Sequence, residues 1–135
     1  MPLPSNKLED AVLNHRDVTD AALLQFAKQF LRTVTFPTLV DPTGPYLEAV
    51  TGGKRFRALC CAIGAVAALP PQPGQSASSA LNKITTNESV VALGCALEFY
   101  QASALVHDDL LDNSPTRRGR PAAHVYFSSV HTRDS

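Results

Sequence analysis

The sequence predicts an all-α fold, and three observations lead to that prediction. Apolar residues recur at helical spacing along most of the 135 residues. No stretch alternates apolar with polar residues as a half-buried strand would. The composition, with 44% hydrophobic and 18% charged residues, is typical of a globular chain rather than a disordered one. The length suits one domain or a piece of one.

The first forty residues predict two amphipathic helices. Leu8, Val12 and Leu13 mark a short first segment. A second segment begins near Val18 and carries five further apolar residues at helical spacing, namely Ala22, Leu23, Phe26, Phe30 and Leu31.

The middle of the chain predicts a turn at 41–45, a short helix at 46–51 that Gly52-Gly53 ends, and an apolar helix at 55–69. A helix that is apolar on every side is normally buried on every side. The stretch at 70–80, rich in proline and serine, is the clearest loop.

The last third predicts one long helix and a shorter one. The long helix runs from about residue 87 or 88 to Leu111, and Asn113-Ser114-Pro115 ends it. A polar turn at 116–120 then leads into the next helical segment.

Charge and composition exclude several classes of protein. Twelve basic and twelve acidic residues give a net charge of zero, which argues against coating nucleic acid or a membrane surface. The three cysteines form neither a disulfide framework nor a zinc motif. The longest apolar run, at 58–69, is well short of the ~20 residues of a membrane span. We therefore expect a cytoplasmic protein without nucleic acid or an integral membrane segment.

The acidic residues near the end of the long helix indicate metal chemistry. Asp108 and Asp112 are one helical turn apart and share a face, with Asp109 between them. Like charges at this spacing repel, and acidic residues oppose the dipole at a helix C-terminus, so a solvated helix end explains them poorly. Carboxylates in this pattern suit Mg²⁺, which usually shares its shell with substrate phosphates.

Two basic clusters flank these carboxylates in the sequence. Lys54, Arg55 and Arg57 follow a glycine turn at the start of a helix, where unsatisfied N–H groups also favour phosphate. The second cluster follows Asp112 and contains Arg117, Arg118 and Arg120. Each cluster alone is more often a solvated turn, but together with the carboxylates they suggest a diphosphate site.

These residues resemble the trans-polyprenyl diphosphate synthases. GGKRFR at 52–57 is similar to the family's GGK-R-x-R segment. EFYQASALVHDDLLDNSPTRRGRPAAH at 98–124 is similar to its first aspartate-rich region, D-D-x-x-D followed by RRG-x-P and a histidine. The resemblance runs from about residue 46 to the C-terminus. It departs at Ala58, where many members have proline, and we expect this to matter little because the cations are intact.

The resemblance implies a bundle of long antiparallel helices around a central cavity, here incomplete. It implies condensation of an allylic diphosphate with isopentenyl diphosphate to a longer polyprenyl diphosphate. Asp108 and Asp112 would be the principal Mg²⁺ ligands, with Asp109 in support. The catalytic residues would be Asp108, Asp112 and Arg117. Side chains binding isopentenyl diphosphate would be Lys54, Arg57, Gln101 and Arg118, while Arg117 would contact the allylic diphosphate.

Chain length and assembly are further implications of the resemblance. In this family bulky aromatic residues just before the aspartates keep products short. Ser103 and Ala104 are small, so we expect a product of C20 or longer. Family members are commonly dimers, so we expect a homodimer of the full-length protein.

The resemblance is incomplete, because the sequence lacks the family's second aspartate-rich motif and is less than half a member's length. We interpret 1–135 as the N-terminal portion of a single synthetase domain, with N-terminal helices at 1–40 and the first binding motifs at 41–135. With carboxylates on one wall only, the chain alone is expected to be inactive.

Two alternatives stay open at this point. A metal phosphohydrolase would use His107-Asp108 as a ligand pair, but it needs further upstream histidines and only His15 precedes them. A non-catalytic helical subunit of a complete synthase is the other alternative, although intact aspartate and arginine motifs would be unusual there.

Overall fold

A computed structural model describes residues 6–33 and 53–133. Within these ranges the chain forms five helices and one two-stranded hairpin, which confirms the all-α prediction. The elements are α1 (Lys7–Thr33), α2 (Phe56–Ala68), α3 (Ala77–Thr85), α4 (Glu88–Leu111), β1 (Thr116–Arg117), β2 (Arg120–Pro121) and α5 (Ala123–Arg133). The predicted turn at 41–45 and helix at 46–51 lie outside the described residues.

Helix α1 is one continuous helix where the sequence predicted two. Its fully buried positions are four residues apart and form one stripe, namely Ala11, His15, Thr19, Leu23 and Ala27. Two of these side chains are polar, so the apolar pattern looked interrupted where the buried face in fact continues. The Asn6 side chain caps the helix by accepting a hydrogen bond from the Leu8 N–H at 3.1 Å.

The chain divides into two compact units. The first comprises Met1–Leu23 and Gly53–Glu98, and the second comprises Leu24–Gly52 and Phe99–Ser135. In the first unit α2 packs against α3, and a small apolar core gathers residues from α1, α2 and α3, namely Ala11, Ala62, Leu81 and Ile84.

Helices α2 and α4 approach each other closely within the first unit. A Cβ placed on Gly94 would lie 3.0 Å from the Cβ of Ala58 and 3.2 Å from its Cα. These distances are tighter than nine in ten real Cβ contacts, so a methyl group at Gly94 would require Ala58 to move by a few tenths of an ångström.

The prediction that α2 is buried on every side is wrong for this chain. Ala58 and Ala62 are buried, but Phe56 and Ile63 are 60% and 54% exposed. Ala58 lies at the close contact with α4, and Ala62 belongs to the apolar core with residues of α1 and α3. Large apolar side chains of α4 are also exposed, among them Leu93, Tyr100, Leu110 and Leu111.

Helix α3 was missed, because the sequence predicted a loop through residue 80. The loop ends at Ser76, whose Oγ accepts a hydrogen bond from the Ser79 N–H at 3.2 Å and so caps the helix. Leu81 and Ile84 then bury the apolar side of this short helix. The serines that suggested a loop are therefore a helix cap and first turn.

Helix α4 has the bounds that the sequence predicted. It is long and apolar enough to cross a membrane by length and composition alone, which the count of uninterrupted apolar residues did not reveal. The core helix of a soluble protein meets the same criterion. Here Glu98, in the middle of the helix, is buried and lies 3.8 Å from Arg55, an ion pair within the first unit.

Candidate functional site

The C-terminal end of α4 carries the aspartate motif in a defined geometry. The Asp112 N–H donates to the Asp108 carbonyl at 2.9 Å, so helical spacing continues to Asp112. Asn113 then adopts the left-handed conformation, with φ 53°. The N–H groups of Asn113 and Ser114 return to the carbonyls of Leu110 and Asp109, at 3.3 and 2.9 Å. This Schellman closure ends the helix where the sequence predicted and fixes the backbone of Asp112.

The three carboxylates of the motif have different environments. Asp108 and Asp112 are exposed and one helical turn apart. Asp109 is only 5% exposed. The motif therefore presents a pair of carboxylates to solvent rather than a set of three.

Arg117 occupies both oxygens of Asp109. Its Nε donates to Oδ2 at 2.8 Å and its Nη2 donates to Oδ1 at 2.6 Å, a bidentate charged pair. The hydrogen bonds from Arg117 lower the pKa of the Asp109 carboxyl, and the same hydrogen bonds raise the pKa of Arg117. The guanidinium keeps up to three further N–H donors, which a phosphate oxygen can accept.

A tight hairpin presents the second basic cluster. Strands β1 and β2 are antiparallel, with Arg117 opposite Arg120. Arg118 and Gly119 at the turn have φ 51° and 75°, the positive values of a type I′ turn. The sequence predicted only a polar turn here. The hairpin exposes Arg118 and Arg120 while it directs Arg117 to Asp109.

The donor set fits Mg²⁺ only in part. Mg²⁺ commonly takes one or two protein carboxylates and completes its shell with water and substrate phosphates, and the exposed pair Asp108 and Asp112 supplies this. Asp109 differs from this pair, since both its oxygens already accept hydrogen bonds from Arg117. Across residues 6–33 and 53–133, no group of three or more histidine, cysteine or acidic side chains is gathered to hold an ion.

The remaining predicted residues of the second unit lie on α4 before the aspartates. Gln101 and Ala104 are half-buried, and Ser103 is exposed. His107 is also exposed.

The first basic cluster belongs to the first unit and divides in two. Lys54 and Arg57 are exposed, as a phosphate-binding pair requires. Arg55 between them is only 7% exposed, with its backbone in the left-handed conformation, φ 58°. Its Nε donates to Asp20 Oδ1 at 2.6 Å, and its Nη1 lies 3.8 Å from Glu98 Oε2.

Glu98 is a residue that the sequence reasoning missed as a candidate. Its Oε1 accepts a hydrogen bond from the Ala58 N–H at 3.2 Å, and the side chain is 7% exposed. The signal in the sequence was an acidic residue within a strongly apolar helix, which calls for a buried partner. One of the N–H groups expected to bind phosphate at the start of α2 is therefore already engaged. A proline at position 58, as in many family members, would have no N–H to donate in this hydrogen bond.

The two groups of predicted residues are thus built separately. In the second unit Asp109 pairs with Arg117 next to the exposed carboxylates, and in the first unit Arg55 pairs with Asp20 and Glu98 next to two exposed cations.

The profile of the family described as polyprenyl synthetase matches residues 43–132, two thirds of the chain. The chain belongs to the polyprenyl synthetase family.

Several curated relatives are similar to this polyprenyl synthetase chain. A heterodimeric geranylgeranyl pyrophosphate synthase small subunit of Arabidopsis thaliana is 49% identical over 37 residues, 26% of this chain and 11% of that protein. A probable farnesyl diphosphate synthase of Bradyrhizobium diazoefficiens is 40% identical over 82 residues, and the nonaprenyl diphosphate synthase of Mycobacterium tuberculosis is 32% identical over 78. These two matches each cover 58% of this chain, and 20% and 19% of the relatives.

The polyprenyl synthetase chain thus spans between about a tenth and a fifth of the length of these relatives. No solved structure matches it.

Proposed function

We propose that this chain is the diphosphate- and Mg²⁺-binding portion of a prenyl diphosphate synthase. The observation that carries the proposal is the exposed carboxylate pair Asp108 and Asp112 beside Arg117, within a stretch that matches the polyprenyl synthetase family. The whole protein would condense an allylic diphosphate with isopentenyl diphosphate into a product of C20 or longer. Relatives named as farnesyl and nonaprenyl diphosphate synthases support this reaction class.

The proposed step breaks the carbon–oxygen bond of the allylic diphosphate. The diphosphate leaves with the electron pair, and an allylic carbocation remains. The double bond of isopentenyl diphosphate supplies the electrons of the new carbon–carbon bond, and a proton lost to the released diphosphate or to water completes the condensation. When bound, Mg²⁺ would act as a Lewis acid on the leaving diphosphate.

The residues of this chain would bind and orient the two diphosphates. Asp108 and Asp112 would hold the ion, while Asp109 holds Arg117 in the position to donate to the allylic diphosphate. The remaining positive and amide side chains would bind the isopentenyl diphosphate, as the resemblance implies, namely Lys54, Arg57, Gln101 and Arg118. We also propose that the full-length protein is a cytoplasmic homodimer. The exposed apolar side chains of α2 and α4 support self-association.

The test is binding of inorganic pyrophosphate by the 135-residue chain, measured by titration calorimetry with and without Mg²⁺. We expect Mg²⁺ to strengthen binding, and replacement of both Asp108 and Asp112 by Asn to remove that effect. Ser128→Ala, on the exposed side of α5, is the control. A chain that binds no pyrophosphate under either condition would contradict the proposal.

A second assay addresses turnover. We expect no prenyl transfer from the 135-residue chain alone, because its sequence lacks a second carboxylate motif. Robust product formation by the purified chain would overturn that expectation. The intact mass of the protein from its native gene tells whether additional chain accompanies this sequence.

One other function is favoured by a specific observation. The 49% identity over 37 residues to a heterodimeric synthase small subunit suits a non-catalytic helical subunit. Such a subunit would change the activity of a complete synthase on mixing and would not need Mg²⁺-dependent binding. The phosphohydrolase alternative loses support, since His15 lies in the first unit, is buried and bonds to Thr85.

A further inference from the structure

Arg55 differs in burial from the two basic residues beside it in the sequence. Lys54 and Arg57 are exposed, whereas the Arg55 side chain is 6% exposed. Its φ of 58° is a left-handed conformation, which is unfavourable for a residue other than glycine. Such a conformation persists only where surrounding contacts hold it.

Two carboxylates from other helices supply those contacts. Asp20 of α1 accepts from Arg55 Nε at 2.6 Å, and Glu98 of α4 lies 3.8 Å from Arg55 Nη1. The pairing compensates the buried charge of Glu98, so this carboxylate adds little net repulsion against a phosphate bound nearby.

Glu98 also closes the N-terminus of α2. The side chain of the N-cap residue, Arg55, makes no capping hydrogen bond. The Ala58 N–H lies in the first turn, where no helical carbonyl is available to accept it. Glu98 Oε1 accepts this N–H at 3.2 Å from a position 40 residues away, so it acts as a remote cap.

We propose that Glu98 is a positioning residue for the cation pair Lys54 and Arg57. It fixes the first turn of α2 through the Ala58 N–H and holds Arg55 beneath that turn. The exposed side chains of Lys54 and Arg57 then extend from a fixed backbone, so less conformational entropy is lost when they bind a phosphate. This inference rests on the proposed function, because it assumes that Lys54 and Arg57 bind a diphosphate.

Two substitutions separate the cap from the charge. Glu98→Gln keeps an acceptor within reach of the Ala58 N–H and removes the negative charge. Glu98→Asp keeps the charge but is one methylene shorter, which withdraws the acceptor. Glu88→Gln, at an exposed acidic residue in the first turn of the same helix, is the control.

The measurement is pyrophosphate affinity of the 135-residue chain without Mg²⁺, with circular dichroism on every variant. We expect Glu98→Asp to weaken binding about tenfold, as for one lost charged hydrogen bond, and Glu98→Gln to stay within about threefold of the original chain. Unchanged binding in folded Glu98→Asp overturns the inference, as does a loss in Glu98→Gln equal to that in Glu98→Asp.

Two further measurements separate the possible failures. Lys54→Ala with Arg57→Ala should abolish this metal-free binding; if it does while the Glu98 variants bind normally, only the positioning role fails. If the original chain binds no pyrophosphate, both proposals fail. Should Glu98→Asp not fold, amide hydrogen exchange in the original chain decides: the Ala58 N–H should be protected like an interior helical amide, and fast exchange overturns its capping.

Discussion

The guanidinium of Arg117 binds both carboxylate oxygens of Asp109, at 2.8 and 2.6 Å, across the end of helix α4 and the following hairpin. Asp109 is therefore paired with the arginine, whereas the neighbouring carboxylates Asp108 and Asp112 are exposed and are the two proposed to bind a cation. Three acidic residues that look alike in sequence thus have two different environments.

This division predicts different effects of asparagine at each position. Asp109→Asn should keep the Mg²⁺ dependence of pyrophosphate binding but weaken the binding about tenfold, because Arg117 is no longer held by a charged partner. Asp108→Asn or Asp112→Asn should remove the Mg²⁺ dependence itself. Titration calorimetry with and without Mg²⁺ measures both, and loss of the Mg²⁺ effect in Asp109→Asn would instead make Asp109 a ligand.

The close approach of α4 to α2 predicts opposite effects at two glycines. Gly94→Ala should lower the free energy of unfolding by about 1–3 kcal/mol, because the new methyl meets Ala58 at 3.0 Å. Gly64→Ala, in α2 with nothing within 4 Å of its Cβ, should raise it by about 0.5–1 kcal/mol through helix propensity. Urea unfolding compares the two variants, and equal effects would contradict the close contact.

His15 predicts a loss of stability in mild acid. Thr85 Oγ1 donates to the Leu81 carbonyl at 2.8 Å, so it accepts from His15 Nδ1 at 3.0 Å. Burial lowers the pKa of His15 below 6.5, partly offset by the Ala58 carbonyl. The unfolded chain therefore takes up a proton near pH 6.5 that the folded chain takes up only at lower pH.

Stability from His15 should consequently be complete above pH 6.5 and decline as the pH falls below it, by at most about 1.4 kcal/mol per pH unit. His15→Gln should show a shallower decline. Thermal unfolding of both proteins between pH 7.5 and 5 checks this, and parallel curves would rule out a contribution from His15.

The half-buried Ala104 predicts product length. Under the proposed synthase function, Ala104→Phe should shorten the product by one or more isoprene units in the protein expressed from its native gene. A bulky ring one helical turn before Asp108 is expected, from the family resemblance, to block the growing chain. Mass spectrometry of the products measures the length. The same product from Ala104→Phe and the original protein would contradict the expectation, and Ser128→Ala again serves as control.

Long apolar helices were the most predictable part of this fold. The predicted bounds of α4 differ from the observed bounds by at most one residue, and those of α2 differ by one residue at each end. Both helices are dominated by apolar side chains, which makes their periodicity easy to recognise. The short helix α3 was lost, since serines that serve as a cap and first turn are also the residues of loops. Helix α1 was divided in two because its buried stripe contains His15 and Thr19, whose polar groups are satisfied by distant or backbone partners.

The candidate site was predictable in residue type but not in partnership. The motif around Asp108 could be recognised from spacing, whereas the pairing of Asp109 with Arg117, eight positions later, depends on a hairpin that the sequence pattern did not predict. Glu98 and Arg55 meet across 43 residues of sequence, a pairing that no local pattern encodes. The cysteines also differ in a way that residue type does not reveal: Cys60 is exposed, whereas Cys95 is buried, which raises its pKa to about 11.

Arg118 occupies the first of the two turn positions in the type I′ hairpin, where glycine or asparagine suits the backbone better. A change to glycine there would relieve the chain of an awkward conformation and at the same time remove a positive charge proposed to grip substrate. A search for more robust versions of this protein would favour that change, and a search for more active ones would reject it. Stability and the proposed substrate binding therefore favour different residues at position 118.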